Sequence, residues 1–158
     1  MAAGQPAYNP SEYHNGTVWP HDNAFIAAGL RRYGYAAEAA RIAHAILEAA
    51  TYFEHRLPEV FAGYPRSLTM FPVEYPTASS PQAWATGTPL LLLRVLLGLE
   101  PAEDGLTSDP ALPDGITRLV LRGVSVRGQR TGPAAARPAG RANGTRVGER
   151  IPVQGGRS

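Results

Sequence analysis

The chain has 158 residues, enough for one domain or a piece of one, and no cysteine, which excludes a disulfide scaffold and thiolate metal sites. Its formal charge of +2 hides an uneven distribution: residues 1–117 hold six arginines against twelve carboxylates, and residues 118–158 hold nine arginines and one carboxylate. The basic balance belongs to the C-terminal end and gives no sign of a nucleic-acid groove on the rest.

The opening "MAAGQPAYNPSEYH" lacks a basic start before an apolar run, so it does not read as a signal peptide. Asn9-Pro10 and Asn15-Gly16 are turn dipeptides, and residues 1–19 are expected to be extended or looped. A helix should open after Trp19, with Pro20 at its first position or Asp22 capping a slightly later start. Phe25, Ile26, Gly29, Leu30 and Tyr33 share one side of it, and Gly34 is a natural stop. A second helix is expected from Tyr35 to Arg56. Its polar residues Glu38, Arg41, His44, Glu48, Thr51 and His55 recur every three or four positions, opposite Ala39, Ile42, Ile46, Ala49 and Phe53. So short a link makes the two an antiparallel hairpin.

Residues 57–81 form a long connection with five prolines and several aromatics, of a length that is usually functional when ordered. Ser80-Pro81 is expected to cap and start a third helix, kinked or restarted at Pro89 and ended by Gly98. Its "LLLLRVLLGL" is apolar almost all round and should be buried, Trp84 with it. It is too short to span a bilayer and carries Arg94, so no membrane role is expected. After a turn-rich link, "ITRLVLRGVSV" alternates apolar and polar residues and reads as a strand or short hairpin near 116–126. From residue 128 the chain is rich in Gly, Pro and Arg without aromatics, and disorder is expected.

Three segments, "YHNGTVWPHDNAFIAAGLRRYG", "RLPEVFAGY" and "SPQAWATGTPLLLLRVLLGL", together carry a resemblance. They are similar to the closing part of bacterial glycogen-debranching, amylo-α-1,6-glucosidase-like proteins, among the six-hairpin glycosidases. The likeness runs from about Tyr8 to Val126. It implies an all-α fold in which residues 1–127 are the C-terminal portion of an (α/α)6 barrel, about a quarter of one, and residues 128–158 a tail. It implies a cytoplasmic glycoside hydrolase acting on α-glucosidic bonds of an oligosaccharide or polysaccharide, with the missing upstream barrel half as a further partner. No cofactor is implied.

Inverting glycosidases need two carboxyl groups, an acid for the leaving oxygen and a base for the attacking water. The resemblance points to Glu59, in "LPEV", as the base; from spacing alone it could equally be a solvated loop glutamate. The acid lies upstream in the family. Asp22 is the local alternative, with a competing role as a helix cap, and Glu74 reads as a loop carboxylate. A sugar offers an apolar face and a rim of hydroxyls. Trp19 suits the face, and His14, Asn15 and His21 suit the rim, with Asp22 and Gln82 as further substrate contacts. The bland readings are core packing for Trp19 and capping for Gln82. Tyr64 and Arg66 are weaker funnel candidates.

His14, His21 and Asp22 are potential metal ligands by type, but zinc needs a further firm ligand in a defined geometry and none stands nearby in the sequence, so no metal is expected. The arginine-rich tail lacks interleaved aromatics and is not expected to bind nucleic acid. Two alternatives to a working enzyme stay open: a catalytically incomplete sugar-binding remnant, and a helical protein-interaction module.

Overall fold

The computed structural model describes residues 1, 3–103, 105–126, 128–132, 134–136 and 149–151. Three helices form its body: α1 (Pro20–Arg32), α2 (Ala36–Ala50) and α3 (Ala83–Leu97). Seven short strands are described after them: β1 (Leu99–Ala102), β2 (Gly105–Ser108), β3 (Arg118–Val120), β4 (Val124–Val126), β5 (Gln129–Thr131), β6 (Ala134–Ala136) and β7 (Glu149–Ile151). The described residues therefore mix helix and strand, and the expectation of an all-α chain is corrected; the helical body remains compatible with a piece of a helical fold.

Pro20 opens α1, where its missing N–H and fixed φ are harmless. Trp19 is the N-cap residue and makes no side-chain cap bond, so Asp22 is not the cap. It lies in the first turn, where a carboxylate meets the positive end of the helix. Gly34, at φ 89°, turns the chain into α2. That helix stops at Ala50, earlier than the apolar period suggested. A 3-10 turn at Thr51–Phe53 follows, and the left-handed residues Glu54 and His55 reverse the chain.

α1 packs on both α2 and α3, and the shared interface is mostly alanine: Ala24, Ala27, Ala39, Ala40, Ala43 and Ala85 are all buried. Small side chains let helix axes approach closely. Ile46, Phe53, Leu57, Phe61, Leu92, Val95 and Leu96 fill the remaining space. The side of α1 picked out by its bulky residues is not the buried one: Phe25, Ile26 and Tyr33 are exposed.

α3 begins at Ala83, not Ser80. Its N-cap is Gln82, whose side-chain oxygen accepts from the Ala83 N–H at 2.9 Å. The helix runs through Pro89 to the left-handed Gly98. Its leucine run is sided rather than buried all round: Leu92, Leu96 and Leu97 are covered, whereas Leu90 is 69% exposed. Trp84 is 47% exposed and is not core. Gly98 also allows a close approach. A Cβ there would overlap the Asp109 carbonyl and the Arg31 guanidinium, which pairs with Asp109 at 2.8 Å.

The strands make three small antiparallel sheets, ordered β1-β2-β7, β3-β6 and β4-β5. The stretch read as a link contains the β1–β2 hairpin, with Leu99 opposite Ser108 and Ala102 opposite Gly105. Pro101 is tolerated because β1 is an edge strand. β3 and β4 do not pair with each other as a hairpin over 116–126 would require; Gly123, at φ 72°, separates them. Most of the tail expected to be disordered lies outside the described residues, and its described parts contribute β5, β6 and β7. Leu97 and Leu99 join α3 to this region by packing with Leu106, Leu112, Leu119 and Leu121. Among the described residues no helix is long and apolar enough to cross a membrane.

Leu92 and Leu90 stand two positions apart on α3 with opposite environments. Leu92→Ala should destabilise the chain by about 2–5 kcal/mol. Leu90→Ala should stay within about 0.5 kcal/mol of the parent. Urea unfolding of both variants checks the assignment, and equal losses would contradict it.

Candidate functional site

Three stretches without regular secondary structure meet beside the helices. Val18 and Phe61 exchange both backbone hydrogen bonds, at 2.8 and 3.0 Å. Phe61 also bridges to Glu74, and the Ala62 N–H donates to the Val73 carbonyl at 2.9 Å. Residues 8–18, 59–63 and 73–79 thus lie side by side. Gly16 and Gly63 make the fit possible: a Cβ on Gly63 would fall on the Gly16 carbonyl, and one on Gly16 on the Asn9 carbonyl. The Tyr8 hydroxyl donates to the Gly63 carbonyl across the same seam.

Glu59 is half-buried in this seam. Its carboxylate accepts the Tyr13 hydroxyl on Oε1 at 2.5 Å and the Ser79 N–H on Oε2 at 3.2 Å. Its own N–H donates to the Ser79 carbonyl at 2.9 Å. Two donors hold the side chain, and a carboxylate has about four lone-pair positions, so it keeps accepting capacity for a further proton donor.

Tyr13 is the hub of an aromatic group. Its ring meets Trp19 edge-on at 4.7 Å, His14 at 4.8 Å and Tyr75 at 5.6 Å. His14 lies nearly parallel to Trp19 at 6.2 Å. Beyond Trp19, the exposed Trp84 stacks on His21 at 5.3 Å, and His21 meets Phe25 edge-on at 4.9 Å. The Trp19 indole N–H is spent locally, on the Thr17 hydroxyl at 3.1 Å and the Tyr13 carbonyl at 3.3 Å. Trp19 can therefore offer a ligand its apolar ring, while the imidazoles of His14 and His21 carry the exchangeable polar atoms.

The remaining expected residues fall elsewhere. The Asn15 amide donates to Glu12 at 2.6 Å and ties a turn. Gln82 makes its cap bond. Asp22 is exposed, one residue after His21. Arg66 forms a two-pronged ion pair with Glu48, both contacts at 2.8 Å, and so fastens the long connection to α2. That pair holds the Glu48 carboxyl below its ordinary range. Tyr64 lines a concavity of about 370 Å³ together with Ser11, Glu74, Tyr75 and Thr77. No group of three or more His, Asp or Glu side chains that could hold a metal occurs among the described residues.

Tyr13 and Tyr75 were not singled out from the sequence. The usable signal was the density of tyrosines in two proline-punctuated stretches that flank Glu59; the contact between them is long-range and leaves no spacing to read.

The Tyr13 hydroxyl is pushed up to about 12, first by its hydrogen bond to Glu59, then by partial desolvation, then by the Glu59 negative charge. The neutral phenol is the donor, so the contact is at full strength below pH 10 and is lost as pH rises towards 12. In an ultraviolet titration of the seven tyrosines, one should ionise near 12. Tyr13→Phe should remove that late step and Glu59→Gln should move it down. A late step surviving both changes would place it on another tyrosine.

Comparison with known proteins gives one family. The description "Mannosylglycerate hydrolase MGH1-like glycoside hydrolase domain" matches residues 1–64. No curated protein matches the chain. The matched stretch contains Tyr13, His14, Trp19, His21, Glu59 and Tyr64, and ends before Glu74, Tyr75, Gln82 and Trp84. The match supports a glycoside hydrolase relationship for this chain, at that coarse level.

Proposed function

We propose that the chain is part of an (α/α)6-barrel glycoside hydrolase that cleaves an α-glycosidic bond with inversion, Glu59 acting as the base on the attacking water. The observation that carries this reading is the Glu59 carboxylate, fixed by the Tyr13 hydroxyl and the Ser79 N–H beside an aromatic group that includes Trp19. A base in that setting is oriented and keeps a lone pair for water. Trp19, His14 and His21 bind the sugar, the indole against its apolar face and the imidazoles at its hydroxyls.

Inversion needs a second carboxyl group about 6.5–9.5 Å from the first. Asp22 is exposed at the start of α1 and, among the described residues, has no partner that would orient it as an acid, so the acid is assigned to an upstream part of the barrel. Phe25, Ile26 and Leu90 are exposed on α1 and α3, and such exposed apolar side chains suit packing against further helices. The same side chains favour the second reading, a helical module whose purpose is that contact.

The substrate class implied by the debranching likeness is an α-glucan, while the matched family's name refers to mannosylglycerate. Both belong in the assay. The chain alone should release no sugar from a branched dextrin or from mannosylglycerate. Joined to a barrel half that supplies the acid, it should turn over one of them, and Glu59→Gln should lower kcat by roughly 10²–10⁴-fold. Glu59-dependent turnover by the chain alone would overturn the split of acid and base. Full activity of the Glu59→Gln barrel would remove Glu59 from the mechanism. Calorimetric titration with maltooligosaccharides separates a sugar-binding protein from an interaction module that ignores sugar.

A further inference from the structure

The concavity lined by Ser11, Tyr64, Glu74, Tyr75 and Thr77 is distinct from the Trp19–His14 surface, yet continuous with it through one ring. Tyr75 lines the cavity and also lies 5.6 Å from Tyr13, the donor to Glu59. The backbone links them too. Val73 to Thr77 form one wall, and Ser79, two residues on, clamps the Glu59 carboxylate. Two tyrosines in contact, Tyr75 and Tyr13, connect the cavity to the proposed base.

At about 370 Å³ the space is within the range of small-molecule sites, roughly 300–1,000 Å³. Its chemistry is specific. Tyr64 and Tyr75 provide flat apolar rings, and Val73 and Pro76 add apolar wall. Hydroxyls come from Ser11, Tyr64 and Thr77, and the Ser11 and Tyr64 oxygens are already paired at 2.6 Å. In that pair one hydroxyl has spent its proton on the other, so both can still accept and one can still donate, a mixed set that matches the hydroxyl rim of a sugar. The charged side chain in the lining is Glu74, a carboxylate that can accept from hydroxyl donors and repels anions.

We propose that this cavity is a second saccharide subsite beside Glu59, and that it takes a neutral sugar ring and rejects an anionic one. The inference rests on the glycosidase reading for its place in a reaction and deepens it by naming the neutral class. A substrate laid across both surfaces would put one ring on Trp19 and its neighbour against Tyr64 and Tyr75, spanning the Tyr13 ring whose hydroxyl donates to Glu59. A carboxylate-bearing neighbour, such as a glycerate, would face Glu74.

The test is a residue-resolved NMR titration of the full chain at low ionic strength, with methyl α-glucoside and with the matching glucuronide. The neutral glycoside should shift the signals of Tyr64, Tyr75 and Thr77, with the glucuronide at least tenfold weaker. Tyr64→Ala should weaken the neutral ligand about tenfold, Tyr64→Phe by less, and Glu74→Gln should narrow the gap between the two ligands at least fivefold. Shifts confined to Trp19 and His14, no shifts at all, or equal affinity for the glucuronide would overturn the subsite. The hydrolase reading has its own readout: sugar bound in the cavity without Glu59-dependent turnover in the complete barrel sinks the hydrolase and leaves the subsite. Turnover with an unperturbed cavity does the reverse.

Discussion

The reciprocal pair of backbone hydrogen bonds between Val18 and Phe61 is the constraint on which the site depends. It joins a segment that precedes α1 to one that follows α2, across more than forty residues of chain. Because Val18 sits directly before the Trp19 cap, the bridge also fixes where α1 begins. Because Phe61 sits two residues after Glu59 and belongs to the core, it fixes where the carboxylate stands relative to the helices. The glycine contact between positions 16 and 63 extends the seam by letting two backbones touch without side chains between them. Without that closeness Tyr13 could not reach Glu59.

The chemistry follows from what this seam leaves satisfied and what it leaves free. Tyr13 and Ser79 each occupy one carboxylate oxygen of Glu59, so the side chain is held from both ends and the group cannot swing. Neither donor is a cation. A neighbouring arginine would neutralise the carboxylate and weaken it as a base. Arg66, further along the same connection, is committed to Glu48 on α2. The ion pair thus secures the outer part of the connection, while neutral donors secure its inner part.

The helices were legible in the sequence because their signals are local. Pro20 and Gly34 bound α1 by backbone geometry alone, and the three-to-four residue period of α2 matches its buried face from Ala39 to Ala49. The end of α2 was misread because the period continues through Phe53, whereas the left-handed turn at Glu54 and His55 depends on where the following chain must go. The β1–β2 hairpin was hidden by Pro101, Glu103 and Gly105, which look like turn residues; four-residue strands are mostly turn. Glu59 and Trp19 could be nominated through a resemblance, yet their connection through Tyr13 could not. That contact spans forty-six residues, and such contacts are set by packing rather than by spacing.

The distribution of bulky residues bears on what the chain is for. Its core is built on alanine, while Phe25, Tyr33, Tyr35, Tyr52, Phe71 and Trp84 are exposed. Aromatic side chains are the largest source of burial energy a small protein has, roughly 150–250 Å² each. A chain selected only for its own stability would put them inside. Here alanines bring the helices close and leucines, Phe53 and Phe61 fill the rest of the core, while other rings lie in the seam around Glu59, beside the adjoining cavity and on exposed positions of α1 and α3. On the proposed reading, the rings nearest Glu59 would meet a sugar, and those on the helices the rest of a barrel.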